Sequence, residues 1–190
     1  MAPGEATVRH ARREDVPDIL QLIRELADYE HEIDSVEATE EKLLSTIAFA
    51  PSPSGPTSDS PDQTPGLPQT EPTSPARPAR CLVLANAGGE TVGIALYFYS
   101  YSTWRARPGI FLEDLFVRQT ERNNGYGKRL LVELAKEVEA MRGGRLEWNV
   151  LKWNEPSIKF YESIGAKALD EWVGMRVDGE ALTGLARLLD

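Results

Sequence analysis

The sequence predicts a mixed α/β layer fold, and three observations carry it. Apolar stripes at helical spacing mark four helices, runs of β-branched and aromatic residues mark six strands, and the two alternate as β, α, α, β, β, β, α, β, α, β. No internal repeat interrupts the series, and 190 residues are enough for one domain, 1–190, with its own core.

A first strand is predicted over Ala6 to His10. In residues 15–29, Val16, Ile19, Leu20, Ile23, Leu26 and Ala27 form one apolar stripe, the mark of an amphipathic helix. A second helix is predicted from Thr39 to Ala48. Lys42 stands where a capping box needs a carboxylate, while Glu40 and Glu41 suit the first turn. Cys81 to Ala85 reads as a short buried strand, Ala87-Gly-Gly-Glu90 as a turn, and Thr91 to Tyr101 as a long strand, together a hairpin. Ile110 to Val117 is the next strand. Leu130, Leu131, Leu134, Ala135 and Val138 mark the strongest helix, stopped by Gly143-Gly144. A strand over Arg145 to Val150, a short helix over Pro156 to Ile164 and a last strand over Trp172 to Val177 complete the series.

Between residues 51 and 80 the composition breaks. Nine of the 13 prolines fall there, among Ser, Thr and Gly, with Leu67 as the one large apolar side chain. Such a segment buries too little surface to offset its ordering entropy, so a disordered insertion is expected over 51–80.

Composition bounds the function. A net charge of -9 argues against a nucleic-acid partner, which would call for a cationic footprint. The absence of any apolar run near ~20 residues argues against a membrane span. The start, MAPGEATVRHARRED, has no apolar h-region, and a single cysteine makes no disulfide framework; a cytoplasmic, reducing setting is expected. His10, His31 and Cys81 have no ligand spacing, so no metal is assigned.

The most informative stretch is a strand, a polar turn and the strongest helix, Phe111 to Arg129. Gly125 and Gly127 let main-chain N–H groups approach an anion, and the helix N-terminus adds unpaired donors and partial positive charge. Arg118, Arg122, Lys128 and Arg129 gather positive charge in an acidic chain. The stretch reads as a pyrophosphate cradle, or more plainly as a tight loop before a helix. It is not a Walker loop, because Arg129 follows Lys128, and not a dinucleotide fingerprint, because Leu130 stands where a third glycine belongs. What remains is R-x-x-G-x-G, Arg122 to Gly127.

That motif after a strand, followed by Trp153-Asn-Glu-Pro-Ser-Ile-Lys-Phe-Tyr-Glu-Ser-Ile-Gly-Ala166, resembles the GNAT superfamily of acetyl-CoA-dependent N-acetyltransferases. Within it the chain is most similar to the diamine (spermidine/spermine) and thialysine acetyltransferase branch. The shared marks are Ile19 to Glu30, Tyr101-Ser-Thr-Trp104 and Leu112-Glu-Asp114. The resemblance implies the GNAT fold, a central, mostly antiparallel sheet flanked by helices. It also implies roles. The backbone of Leu115, Phe116 and Val117 would pair with the pantetheine arm of acetyl-CoA. Arg122, Asn123, Asn124, Gly125, Tyr126, Gly127 and Lys128 would hold the pyrophosphate, with Asn154, Glu155, Pro156 and Ser157 on the other side of the cleft. Tyr161 matches a general acid, Glu113 an acidic residue that positions or deprotonates the amine, and Tyr29, Glu30 and Trp104 substrate contacts. A homodimer is implied as well.

Two positions depart from the family pattern. Asn123 replaces a common glycine, but Asn tolerates positive φ. Ser102 stands where polyamine-specific members carry an aspartate, which puts polyamine specificity in doubt and favours the thialysine form.

Elementary acid–base chemistry sets the task. An ammonium with pKa ~10.4 is neutral in about one molecule in 2,500 at pH 7, a deficit of about 4.6 kcal/mol that a base would relieve. Alternation places Glu113 and Asp114 on opposite faces unless a bulge intervenes, and Glu113 is the expected base. Its plainer reading is a partner for a structural arginine. Proton donation from Tyr161 (pKa ~10) to a thiolate (thiol pKa ~8.5) is uphill by about 2 kcal/mol, so Tyr161 should quicken the reaction moderately. Its plainer reading is a core tyrosine, as Cys81 reads as an inert core residue. Residues 25–41 hold eight acids and no Lys or Arg, either a solvated face or a funnel for cationic amines. Trp104 offers a cation–π platform or simple packing. Tyr97, Tyr99 and Tyr101 alternate on a strand face that suits a core or a dimer surface.

Three functions follow in order: acetyl transfer to a small cationic amine, the same chemistry on a protein lysine or N-terminal amine, and a non-catalytic acyl-CoA-binding scaffold.

Overall fold

The computed structural model describes residues 5–52 and 65–190. The chain gathers into two compact units, Met1–Asn149 and Val150–Asp190.

The first unit is a five-stranded sheet in the order β1-β2-β3-β4-β5: β1 Thr7–His10, β2 Arg80–Ala85, β3 Thr91–Ser102, β4 Arg107–Val117 and β5 Leu146–Trp148. All pairings are antiparallel except β4 with β5, which is parallel. Helices α1 (Val16–Tyr29) and α2 (Glu40–Thr46) belong to one face. There Ile19, Leu22, Leu43, Ile47 and Phe49 pack with Cys81, Val83, Ile94 and Phe116. Helix α2 begins at Thr39, whose hydroxyl accepts the Lys42 N–H at 3.2 Å, so half of a capping box suffices.

Helix α3 (Tyr126–Ala140) covers the other face with Leu130, Leu131 and Leu134 buried. A buried polar cluster bolts it down. Tyr97 and Tyr99 donate their hydroxyls to the two oxygens of Glu137 at 2.6 and 2.7 Å. With the Tyr97 proton committed there, His10 Nε2, 2.9 Å from Tyr97 Oη, must be the donor. The tyrosine stripe is thus core at Tyr97, and Tyr101 is exposed.

Disorder over 51–80 is corrected for its second half. Glu71 accepts from Arg13 and from Arg77, each at 2.7 Å, and the Glu71 N–H donates to the Phe49 carbonyl at 2.8 Å. Arg80 Nε donates to Thr70 Oγ1 at 2.9 Å, and Ala79 bridges Ile47. A few charged and backbone anchors hold this stretch in place of an apolar core. The part of the expectation that falls on 53–64 lies outside the described residues.

In the second unit, α4 (Glu155–Ser163) matches the expected short helix, and Gly165 takes φ 93° just past its end, where a side chain would be strained. The expected last strand over Trp172 to Val177 is absent; that segment has no regular structure, and a helix α5 (Gly179–Ala186) follows. Strand propensity needs a neighbouring strand to pair with, and residues 150–190 form none.

Candidate active site

The site begins with a break in strand register. Asp114 sits opposite Leu96, yet Leu112 sits opposite Tyr97, so β4 carries one residue more than β3 and Glu113 is the extra one. This is a β-bulge. Leu112 and Asp114, which simple alternation would put on one face, therefore lie on opposite faces. Asp114 turns to the α1 side, where Leu96 and Phe116 also lie.

The second feature is an open edge. β5 pairs with β4 only at Ile110, Phe111 and Leu112, because it ends at Trp148. From Glu113 to Val117 that edge of β4 has no strand beside it among the described residues. Its main-chain groups are the kind an extended amide chain would pair with. The bulge and the open edge start at the same residue.

Acid chemistry concentrates there. Asp114 is partly buried, and desolvation pushes its carboxyl up to about 6, with the charges of Glu113 and Glu30 adding to the rise. Glu30, just past the end of α1, is likewise raised by burial and then by Glu32. Glu113 itself is exposed. Alternation alone would choose one of Glu113 and Asp114 for a given face; the bulge breaks that alternation and turns Asp114 to the α1 side. Only the presence of two adjacent acids signalled this in the sequence.

In the turn after β4 the backbone is left-handed at Asn123, as the sequence allows, and again at Gly125. Asn123 adopts φ 68° and Gly125 φ 75°, and Gly125 caps α3, whose first turn contains no acid. The clustered cations are less free than composition suggests. Arg118 Nε bonds Glu25 at 3.1 Å and its terminal nitrogen pairs with Glu90. Arg129 bonds the Ala6 carbonyl and Glu5. Lys128 is exposed and has no acid partner among the described residues. Arg122 donates Nε–H to the Val117 carbonyl at 3.2 Å and lies over the Tyr29 ring, 4.6 Å from its centroid.

Other expected site residues have surroundings of their own. Trp104 is 91% exposed at the tip of the β3–β4 hairpin. Six residues of β4 separate Arg107 from Glu113, roughly 20 Å of strand, so this chain does not gather Trp104 with the acids. In the second unit, the Asn154 side chain accepts the Ser157 N–H at 3.3 Å and caps α4, while Glu155 pairs with Lys159 at 3.5 Å. Tyr161 lies on α4 beside Phe160, ring centroids 5.3 Å apart. Cys81 is buried, and desolvation raises its thiol pKa strongly, leaving no thiolate to react. A cavity of about 230 Å³ between β1 and α3, beside His10 and Glu137, opens on the face away from Asp114. Among the described residues no His, Cys, Asp and Glu cluster could hold a metal, and no helix is long and apolar enough to cross a membrane.

Residues 37–166, from α2 through the end of α4, match the model of the acetyltransferase (GNAT) family. The chain belongs to the GNAT acetyltransferase family. Among the relatives of this acetyltransferase, an L-ornithine N5-acetyltransferase of Arabidopsis thaliana is 35% identical, with 95% of this chain and 88% of that protein aligned. A thialysine N-epsilon-acetyltransferase of Bos taurus is also 35% identical, over 94% of this chain and 96% of that one. The fold matches an integron cassette protein from the mobile metagenome of V. cholerae at TM-score 0.69 and 21% identity, covering 96% and 98% of the two chains.

Proposed function

We propose that this acetyltransferase moves the acetyl group of acetyl-CoA to the side-chain amine of a small diamino acid of the thialysine or ornithine type, by direct attack in a ternary complex. The observation that carries the reading is the bulge: it sets a carboxylate of raised pKa beside an unpaired strand edge. The two relatives named for thialysine and ornithine support this substrate class, and Ser102 in place of a carboxylate weakens the polyamine reading.

Acetyl-CoA would supply an activated thioester. The main chain of Leu115, Phe116 and Val117 would hold its amide arm, and the N–H groups of 123–128 its diphosphate. Asp114, more basic than an ordinary carboxylate, takes the amine proton directly or through water, while Glu113 and Glu30 keep the surroundings negative and attract the cation. Tyr29, next to Glu30 at the end of α1, would contact the substrate. Tyr161 donates a proton to the departing sulfur. The enzyme acts in the cytoplasm as a homodimer; light scattering at micromolar concentration checks the latter, and a strict monomer contradicts it.

A panel of amines with coenzyme A release as readout tests the reading. Thialysine and ornithine should exceed spermidine, putrescine and a basic peptide in kcat/KM. Turnover confined to the peptide would replace the substrate class, and turnover of none would remove the activity.

A further inference from the structure

Two arginines of the loop after β4 reach the same face of one helix. Arg118 bonds Glu25, and Arg122 covers Tyr29. Glu25 and Tyr29 are four residues apart on α1, hence neighbours on its surface. Arg118 and Arg122 are four residues apart as well, across the short turn Gln119–Glu121. The loop therefore clasps the last turn of α1 at two points.

That turn needs such a clasp. α1 ends in Tyr29 with no basic residue of its own in the last turn, so the partial negative charge of its C-terminus is unanswered from within. Glu25 and Glu30 add to that negative charge. The loop supplies the missing cations from about 90 residues downstream. Arg122 is the more exposed of the two, and it is held by the Val117 carbonyl, the Tyr29 ring and the edge of Phe116, whose centroid is 5.8 Å away. Its terminal N–H groups have no partner among the described residues, and the next residue, Asn123, starts the left-handed turn of the anion loop.

We propose that Arg122 is a positioning residue that couples the two substrate sites: filling the 123–128 loop with a diphosphate fixes Arg122 over Tyr29 and so orders the end of α1 that carries Tyr29 and Glu30. This rests on the acetyl-CoA reading above. The coupling is reciprocal, so bound amine tightens the hold on the carrier by the same factor. It also separates the arginines by role, since Arg118, tied to both Glu25 and Glu90, secures the helix whether or not the loop is filled.

Amide hydrogen exchange with coenzyme A alone tests this without turnover. In the unaltered protein, coenzyme A should slow exchange both at 119–128 and at 25–30. In Arg122→Lys, which keeps the charge but loses the planar face, protection should persist at 119–128 and vanish at 25–30. Tyr29→Phe, which keeps a ring, should preserve it, and Tyr29→Leu should lose it. By calorimetry at saturating coenzyme A, Arg122→Lys should bind thialysine about two- to fivefold more weakly, the size of an exposed cation–π contact, and adding Tyr29→Leu should not multiply that loss. Equal protection of 25–30 in Arg122→Lys, or protection confined to the loop in the unaltered protein, would overturn the coupling. No protection anywhere would instead bring down the acetyl-CoA reading on which it rests.

Discussion

β4 is two strands in one. From Arg107 to Leu112 it has partners on both sides or packs tightly against its neighbours, and Ile110 and Leu112 are fully buried. From Glu113 to Val117 it keeps β3 on one side only. In the first half β5 covers the outer edge at Ile110, Phe111 and Leu112, and the Pro108 carbonyl accepts the Gly144 N–H at 2.8 Å. The second half has no strand along its outer edge among the described residues, its Val117 carbonyl is taken by Arg122, and it carries the acids. A single extra residue, Glu113, divides the two. A scaffold and a reactive edge need not be separate elements; one bulge suffices to turn the first into the second.

The largest effect should come from the reactive half. Asp114→Asn removes the base while preserving shape, and kcat/KM should fall on the order of 10²-fold at pH 7, within the range for general base catalysis. Steady-state kinetics on the preferred amine check it; a loss of only a few fold would return the role to Glu113. Tyr161→Phe comes next, with turnover lower by roughly tenfold and coenzyme A affinity unchanged by calorimetry. Unaltered turnover would remove its acid role.

The scaffold half should respond in stability instead. A methyl group on Gly109 would meet the Arg145 carbonyl and Ser100 Oγ, both at 2.9 Å. Gly109→Ala should therefore cost about 1–3 kcal/mol in denaturant unfolding and leave kcat of the folded enzyme intact. Equal losses in kcat and stability would erase the division between the halves.

Asp114→Asn should also change stability, with the opposite sign. Desolvation, then Glu113 and Glu30, raises the folded-state pKa from 3.8 to about 6, so the folded chain holds the proton more tightly than the unfolded one. Stability then declines as pH rises from about 4 to 6 and levels off above. Keeping the carboxyl ionised costs at most about 3 kcal/mol above that window. The variant should be more stable than the parent at pH 7.5 by about 1–3 kcal/mol and equal to it at pH 3.5. A variant less stable at pH 7.5 would mean that the carboxylate is held by favourable contacts, and the raised pKa would be wrong. Such a gain in stability with a loss in rate is the usual mark of a strained functional group.

Much of this was legible in the residues. The stripe of α1 and the Gly125 turn before α3 announced their elements, because local periodicity and a required left-handed φ leave little choice. The bulge was not, since Glu113 and Asp114 fit an ordinary alternating strand and only the β3 register exposes the extra residue. Nor was the fate of the arginines: Glu25, the partner of Arg118, lies in another helix, and no local pattern points to it. The stretch around Glu71 looked like featureless insertion because composition averages over a window, whereas one carboxylate between Arg13 and Arg77 is enough to fasten it. Trp172 to Val177 has a strand's composition but lacks a strand's neighbour.

The pH dependence of kcat/KM, measured side by side for the parent enzyme and Asp114→Asn, bears most directly on the reactive half of β4. The parent should show an acidic limb with its midpoint near 6, the value burial gives Asp114, and the variant should lose that limb altogether. A limb that stays at the same pH in the variant would show that another group takes the proton.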